Sequence, residues 1–127
     1  MERKQSTVYI VEDSPDVRDA LVDLLADVEQ VEVVGSAEDA QSAIAGILRA
    51  RPDFVVLDYQ LIDSNAVDVL RAVHPALPDT SFIVLTNHAT KAYERVCTAA
   101  GAGWFLQKNR DFAKVKDIVA QLPASQS

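Results

Sequence analysis

The chain has 127 residues, a formal charge of -7, 49% hydrophobic and 24% charged residues, the size and balance of one compact soluble domain and too little for two. Its 12 Lys+Arg face 19 Asp+Glu and form no basic block, which argues against a surface built for nucleic-acid phosphates. No stretch reaches the roughly 18 apolar residues that span a bilayer, and the charged opening Met1 to Gln5 leads into too short an apolar run for a secretory signal, so no membrane insertion and a cytoplasmic home are expected.

In chain order, the first strand is expected over Thr7 to Val11, where Val, Ile and Tyr run together. A helix with apolar spacing at Val17, Ala20, Leu21, Leu24 and Val28 follows, started by Ser14 as cap and Pro15 in the first turn. Val31 to Gly35 is a second strand, and Ala40, Ala43, Ile44 and Ile47 mark a second helix. Pro52 closes the connection into a third strand, Phe54 to Leu57, and the third helix carries Ala66, Val69, Leu70 and Val73. His74, Pro75 and Pro78 read as loop before a fourth strand, Ser81 to Leu85. The fourth helix carries Tyr93, Val96, Cys97 and Ala100. Gly103 to Leu106 is the fifth strand, and Phe112, Val115, Val119 and Leu122 mark the fifth helix.

Strands that alternate strictly with helices and are apolar on both faces imply a doubly wound α/β domain, a five-stranded parallel sheet with five helices. Such folds bind ligands beyond the carboxyl ends of their strands. Glu12 and Asp13 follow strand one, Asp58 strand three and Thr86 strand four, while Gln107 and Lys108 follow strand five. Taken singly, the acidic pair reads as a solvated turn, Thr86 as a strand-end hydroxyl and Lys108 as a surface charge. Brought to one crevice, three carboxylates repel unless a pKa rises or a divalent cation joins them. One cysteine, Cys97, and two scattered histidines, His74 and His88, offer no soft ligand cluster, so the cation would be a hard one such as Mg²⁺. A metal on Asp13 and Asp58, with Lys108 and Thr86 holding further oxygens, suits phosphoryl transfer with Asp58 as the nucleophilic acceptor. Cys97 lies on an apolar helix stripe as a small buried hydrophobe, and Trp104 must face the opposite side of its strand from Phe105.

The stretches Tyr9-Ile10-Val11-Glu12-Asp13, Asp53-Phe54-Val55-Val56-Leu57-Asp58, Ile83-Val84-Leu85-Thr86 and Gly101-Ala102-Gly103-Trp104-Phe105-Leu106-Gln107-Lys108 together resemble the receiver domain of bacterial two-component response regulators. The resemblance spans nearly the whole chain, 5–122. It implies a flavodoxin-like strand order 2-1-3-4-5 and a phosphoacceptor, not a turnover enzyme. Asp58 would be phosphorylated from a sensor histidine kinase or histidine phosphotransfer protein. Asp13 would ligate Mg²⁺, Glu12 would assist through water, and the carbonyl of Gln60 would complete the protein ligands. Thr86 would move toward the phosphoryl group, Lys108 would pair with it, and Phe105 would rotate in behind the threonine. The face of the fourth helix, fifth strand and fifth helix would change for an unidentified downstream protein. Gln60 and His88 would tune hydrolysis of the acyl phosphate.

The chain departs from that pattern in places. Ile62 and Ala66 stand where the family usually has proline and glycine, Asn87 where it has alanine or glycine, and Asn109 where a proline, often after a cis bond, aims the lysine. A differently shaped acceptor loop is therefore expected, with Ala66 strained if the turn needs a positive φ. The chain stops just after the fifth helix, so it is expected to hold no output domain, as either a stand-alone receiver or a fragment. Two other readings stay open: a receiver-like docking module that takes no phosphate, and an aspartyl-phosphate hydrolase. The hydrolase would carry a carboxylate two residues after the nucleophile, where this chain has Gln60.

Overall fold

The structure, a computed structural model, describes the backbone of residues 6–125 and the side chains of 6–120. The expected domain edge at Gln5 and the side chain of Leu122 lie outside the described residues. Strands β1 (Ser6–Val11), β2 (Val31–Ala37), β3 (Phe54–Asp58), β4 (Ser81–Thr86) and β5 (Trp104–Gln107) form one sheet in the order β2-β1-β3-β4-β5, and every pairing is parallel. This is the expected topology, with the order reversing beside β1, between β1 and β3. Central β3 is buried at all five positions, so it reads as an uninterrupted apolar run down to Asp58. Edge strand β2 instead exposes alternate residues, Glu32, Val34 and Ser36, which corrects the expectation that every strand is apolar on both faces. An edge strand has sheet on one side only, and helices cover it less.

The helices are α1 (Pro15–Ala26), α2 (Ala40–Ala50), α3 (Ala66–Val73), α4 (Lys91–Ala100), the single turn α5 (Lys108–Asp111) and α6 (Lys114–Ser125). Two cores flank the sheet. On one face Val8, Ile10, Phe54, Val56, Ile83 and Leu85 pack under Leu21 and Leu25 of α1 and Val115 and Val119 of α6. On the other, Tyr9, Val11, Val55, Leu57, Phe82 and Val84 pack under α2, α3 and Cys97 of α4. Each large aliphatic or aromatic side chain so buried contributes about 1.5–3 kcal/mol. Side-chain caps start four helices: Ser14 accepts from the Val17 N–H (3.4 Å), Asp39 from Ser42 (3.1 Å), Asn65 from Val67 (2.9 Å) and Thr90 from Tyr93 (3.2 Å). Each cap is worth about 1 kcal/mol.

Three expectations change. The fifth helix is two, because the chain turns helical directly at Lys108, breaks at Phe112 and Ala113 and resumes at Lys114. The first helix stops at Ala26, short of Val28. His74 is not loose loop: it caps α3, sets its ring edge-on to Phe82 at 6.0 Å and keeps Nδ1 buried without a hydrogen-bond partner among the described residues. Its ring lies so close to Gly101, which ends α4 at φ 122°, that a Cβ there would sit 2.6 Å from the imidazole.

Candidate functional site

Parallel strands present their carboxyl ends along one edge of the sheet, and that is where the expected residues meet. Asp58 closes β3, Thr86 closes β4 opposite Gln107, and Glu12-Asp13 follow β1. Carboxylate oxygens of Glu12, Asp13 and Asp58 lie within 4.8 Å of one another. Lys108 reaches back over them, its Nζ 3.0 Å from Glu12 Oε1 and 3.2 Å from Asp58 Oδ1. Glu12 Oε2 also accepts the Ser14 N–H at 3.1 Å. Glu12, Asp58 and Thr86 are buried, and Asp13 is half-buried.

Burial and the neighbouring charge of Asp58 push Glu12 up to about 7, against the opposing pull of Lys108 and the Ser14 N–H. Burial raises Asp58 as well and Asp13 adds to the rise, while Lys108 pulls the other way. Burial alone would lower Lys108, yet Glu12 and Asp58 outweigh it and hold the ammonium above its ordinary range. One ammonium thus pairs with two of three clustered acids, which leaves positive charge in deficit. Glu12 Oε1 is buried and its contact with Nζ lacks the alignment of a hydrogen bond. Hard oxygen donors with spare capacity suit a small divalent cation better than a soft metal.

The loop after Asp58 is held by its own backbone. The Tyr59 N–H donates to Leu85 O (2.8 Å), the Ala66 N–H to Tyr59 O (2.8 Å) and the Leu61 N–H to Ser64 O (3.0 Å). The last two bonds frame a Gln60–Asn65 bridge, and among the described residues none donates to the Gln60 carbonyl. Asp63 clips the loop to the start of α2, accepting from the Ala40 N–H at 2.7 Å and the Gln41 N–H at 3.4 Å. The expected strain at Ala66 does not arise: among non-glycine described residues only Gln30 and Arg51 have a positive φ, and Ala66 simply opens α3. Ile62, which stands where the family usually has proline, is 69% exposed.

At the next strand end, the Thr86 hydroxyl accepts the His88 N–H at 3.0 Å, and Asn87 and His88 are exposed beside it. Phe105 pairs with Val84, two residues before Thr86 and on the same face, and packs half-buried against the core that holds Tyr93. Trp104 packs into the opposite core, as strand alternation requires. No described peptide bond is cis, so Lys108 is aimed through a trans bond to Asn109. Cys97 is fully buried, its thiol pushed up to about 11 by burial, and takes no part in the site.

Three features escaped the sequence reading. The ring of Tyr59, next to the acceptor position, stacks on Tyr93 of α4 at 4.4 Å and 14°. Asp63 anchors the acceptor loop, and Asp111 accepts the Gln107 N–H just before Lys108 at 3.0 Å. A tyrosine directly after Asp58 with another at the start of the fourth helix was a readable signal, whereas lone loop aspartates carry none.

The comparisons with known proteins agree with this geometry. Residues 8–120 match the family model described as the response regulator receiver domain. The DNA-binding transcriptional activator DevR/DosR of Mycobacterium tuberculosis is 34% identical over 117 residues, covering 89% of this chain and 54% of that protein. A protein-glutamate methylesterase/protein-glutamine glutaminase of Syntrophus aciditrophicus is 34% identical over 116 residues, covering 90% of this chain and 33% of that enzyme. The chain therefore spans about half or a third of the length of these relatives. Among solved structures, the signal receiver domain of the response regulator NarL from Mycobacterium tuberculosis superposes with a TM-score of 0.87 at 26% identity, covering 95% of this chain and 98% of that one.

Proposed function

Because the chain belongs to the response regulator receiver domain family, we propose that it takes a phosphoryl group onto Asp58 from a histidine kinase, a histidine phosphotransfer protein or a small acyl phosphate, and relays a change of surface to a downstream protein. The observation that carries this reading is the meeting of Asp58 with Lys108 at 3.2 Å and with Glu12 and Asp13 inside 4.8 Å. Mg²⁺ fits this donor set, on the chemistry of three carboxylates and the unaligned buried oxygen of Glu12. Asp13 and Asp58 would hold it directly, with Glu12 through water and the Gln60 carbonyl as a further ligand. When bound, it offsets the carboxylate charge and stabilises the phosphoryl oxygens in flight.

An Asp58 oxygen attacks phosphorus, and the bond from phosphorus to the donor imidazole nitrogen or acyl oxygen breaks, its electron pair leaving with the donor. The ammonium of Lys108 pairs with one phosphoryl oxygen, while the Thr86 hydroxyl turns to donate to another. That turn gives up the bond Thr86 accepts from the His88 N–H, and so frees the β4–α4 loop. A group of about -1.5 to -2 charges replaces one of -1, which is the differential interaction any population shift requires. Phe105, on the same face as Thr86, fills the space vacated, and the surface of α4, β5 and α6 changes with it. Gln60 and His88, both exposed at the rim, set the rate of hydrolysis. Unchanged decay after substituting each would contradict that role. A hydrolase is disfavoured because the Gln60 amide has no acidic proton for a leaving group.

Phosphoramidate with Mg²⁺, followed by borohydride reduction, should convert the acceptor to homoserine at position 58 alone. Homoserine at position 13, or at no position, would contradict the assignment.

A further inference from the structure

The corner between β5 and α5 has no loop residue: Gln107 is extended (φ -86°, ψ 125°) and Lys108 is already helical. The backbone must turn sharply at the very residue whose ammonium reaches the site. Gln107 does not cap the turn with its own side chain. Instead Asp111 folds back, and its Oδ2 accepts the Gln107 N–H at 3.0 Å, the one side chain among the described residues that hydrogen-bonds the backbone at this corner. Asp111 is only 4% exposed. A buried carboxylate is tolerated only when its oxygens are occupied, and here they are. Arg110 donates through Nε to Oδ1 (3.1 Å) and through its terminal nitrogen to Oδ2 (3.2 Å), and Lys114 Nζ lies 3.3 Å from Oδ1. Arg110 and the Gln107 N–H hold the Asp111 carboxyl well below the usual carboxylate range, so the anchor stays charged.

We infer that Asp111 is a positioning residue for phosphoryl transfer, pinning the end of β5 so that Lys108 is aimed between Glu12 and Asp58. The β4 ladder holds Gln107 opposite Thr86, and past that point Asp111 is the one side chain among the described residues that fixes the corner, since Asn109 is exposed and lacks the ring that would restrict its φ. The inference rests on the proposed phosphoacceptor function for its consequence, but not for its geometry. Asp111 touches neither substrate nor metal, and its effect passes through Lys108 alone.

The test is a double-mutant cycle on the full chain. Phosphorylation by acetyl phosphate with Mg²⁺, thermal midpoint and Mg²⁺ affinity are measured for the native protein, Asp111→Asn, Lys108→Ala and the pair. Asp111→Asn should slow phosphorylation about tenfold in the native background and less than twofold in Lys108→Ala, and any change it makes in Mg²⁺ affinity should likewise vanish in Lys108→Ala. Its loss of thermal midpoint should be the same in both backgrounds. Equal slowing in both backgrounds, or none in either, would overturn the inference. If the native protein takes no phosphoryl group, the functional reading fails separately, and the positioning is read from NMR of the Lys108 ammonium without Mg²⁺. Held by two carboxylates, that ammonium should exchange its protons slowly in the native protein and fast in Asp111→Asn; unchanged exchange would overturn the inference. Should Asp111→Asn not fold, Arg110→Gln with Lys114→Gln strips the exposed partners of the carboxylate and should slow phosphorylation about threefold by the same Lys108-dependent route, while no slowing would count against it.

Discussion

Glu12 gives the site a pH dependence with a definite sign. Its folded-state pKa stands at about 7 against an ordinary 4.5, raised by burial and by Asp58. The folded protein therefore binds this proton more tightly than the unfolded chain. The resulting stabilisation is fully present below pH 4.5, falls as pH rises toward 7 and is gone above it. At about 1.36 kcal/mol per pH unit the rise is worth about 3 kcal/mol, an upper bound because Lys108 shares the proton balance. Urea unfolding in EDTA at pH 5 and pH 8 should show the native protein losing more stability on alkalinisation than Glu12→Gln, whose amide cannot ionise. Asp58 is present in both proteins but titrates together with Glu12, so the difference reports the coupled pair with the Glu12 proton removed. Mg²⁺ competes with the same proton, so its affinity should rise with pH up to about 7 in the native protein and less steeply in Glu12→Gln. Identical pH slopes in the two proteins would refute the reasoning.

Lys108→Ala leaves Glu12 and Asp58 without their cation, which should cost about 3 kcal/mol of metal-free stability at pH 8 by urea unfolding. The same change should tighten Mg²⁺ binding by calorimetry, since a competing positive charge is gone; weaker binding would contradict this. Gly101→Ala forces a side chain into φ 122° and against His74, and a loss of about 1–3 kcal/mol should appear as a lower thermal midpoint. Cys97, buried with its thiol pushed up to about 11, should resist thiol reagents in native buffer and react at once on unfolding. Rapid labelling of the native protein would contradict that.

The parallel sheet and the crevice were legible because strands alternate with helices and because the crevice follows from where apolar runs stop, whereas the strand order came from the family resemblance. The run Phe54 to Leu57 ends on an acid, and a parallel sheet then has only one edge on which to put Asp58, Thr86 and the residues after Val11 and Gln107. Non-local clips were not legible. Asp63 bonds backbone 23 residues away on α2, a separation to which local pattern is blind. Asp111 lies in a short polar stretch whose composition reads as loop, and only folding shows that its carboxylate turns inward to the Gln107 N–H. The departures at Ile62, Ala66 and Asn109 pointed to strain or altered loops. In the structure, hydrogen bonds that Asp63 and Asp111 accept from backbone N–H groups hold those segments where ring and glycine constraints are missing.

The central claim is tested most directly by intact mass after incubation with acetyl phosphate, with and without Mg²⁺, on the native protein and on Asp58→Asn. A single phosphoryl adduct that requires both Mg²⁺ and Asp58 is the expected result. An adduct that persists in Asp58→Asn, or that forms equally well in EDTA, would contradict the account.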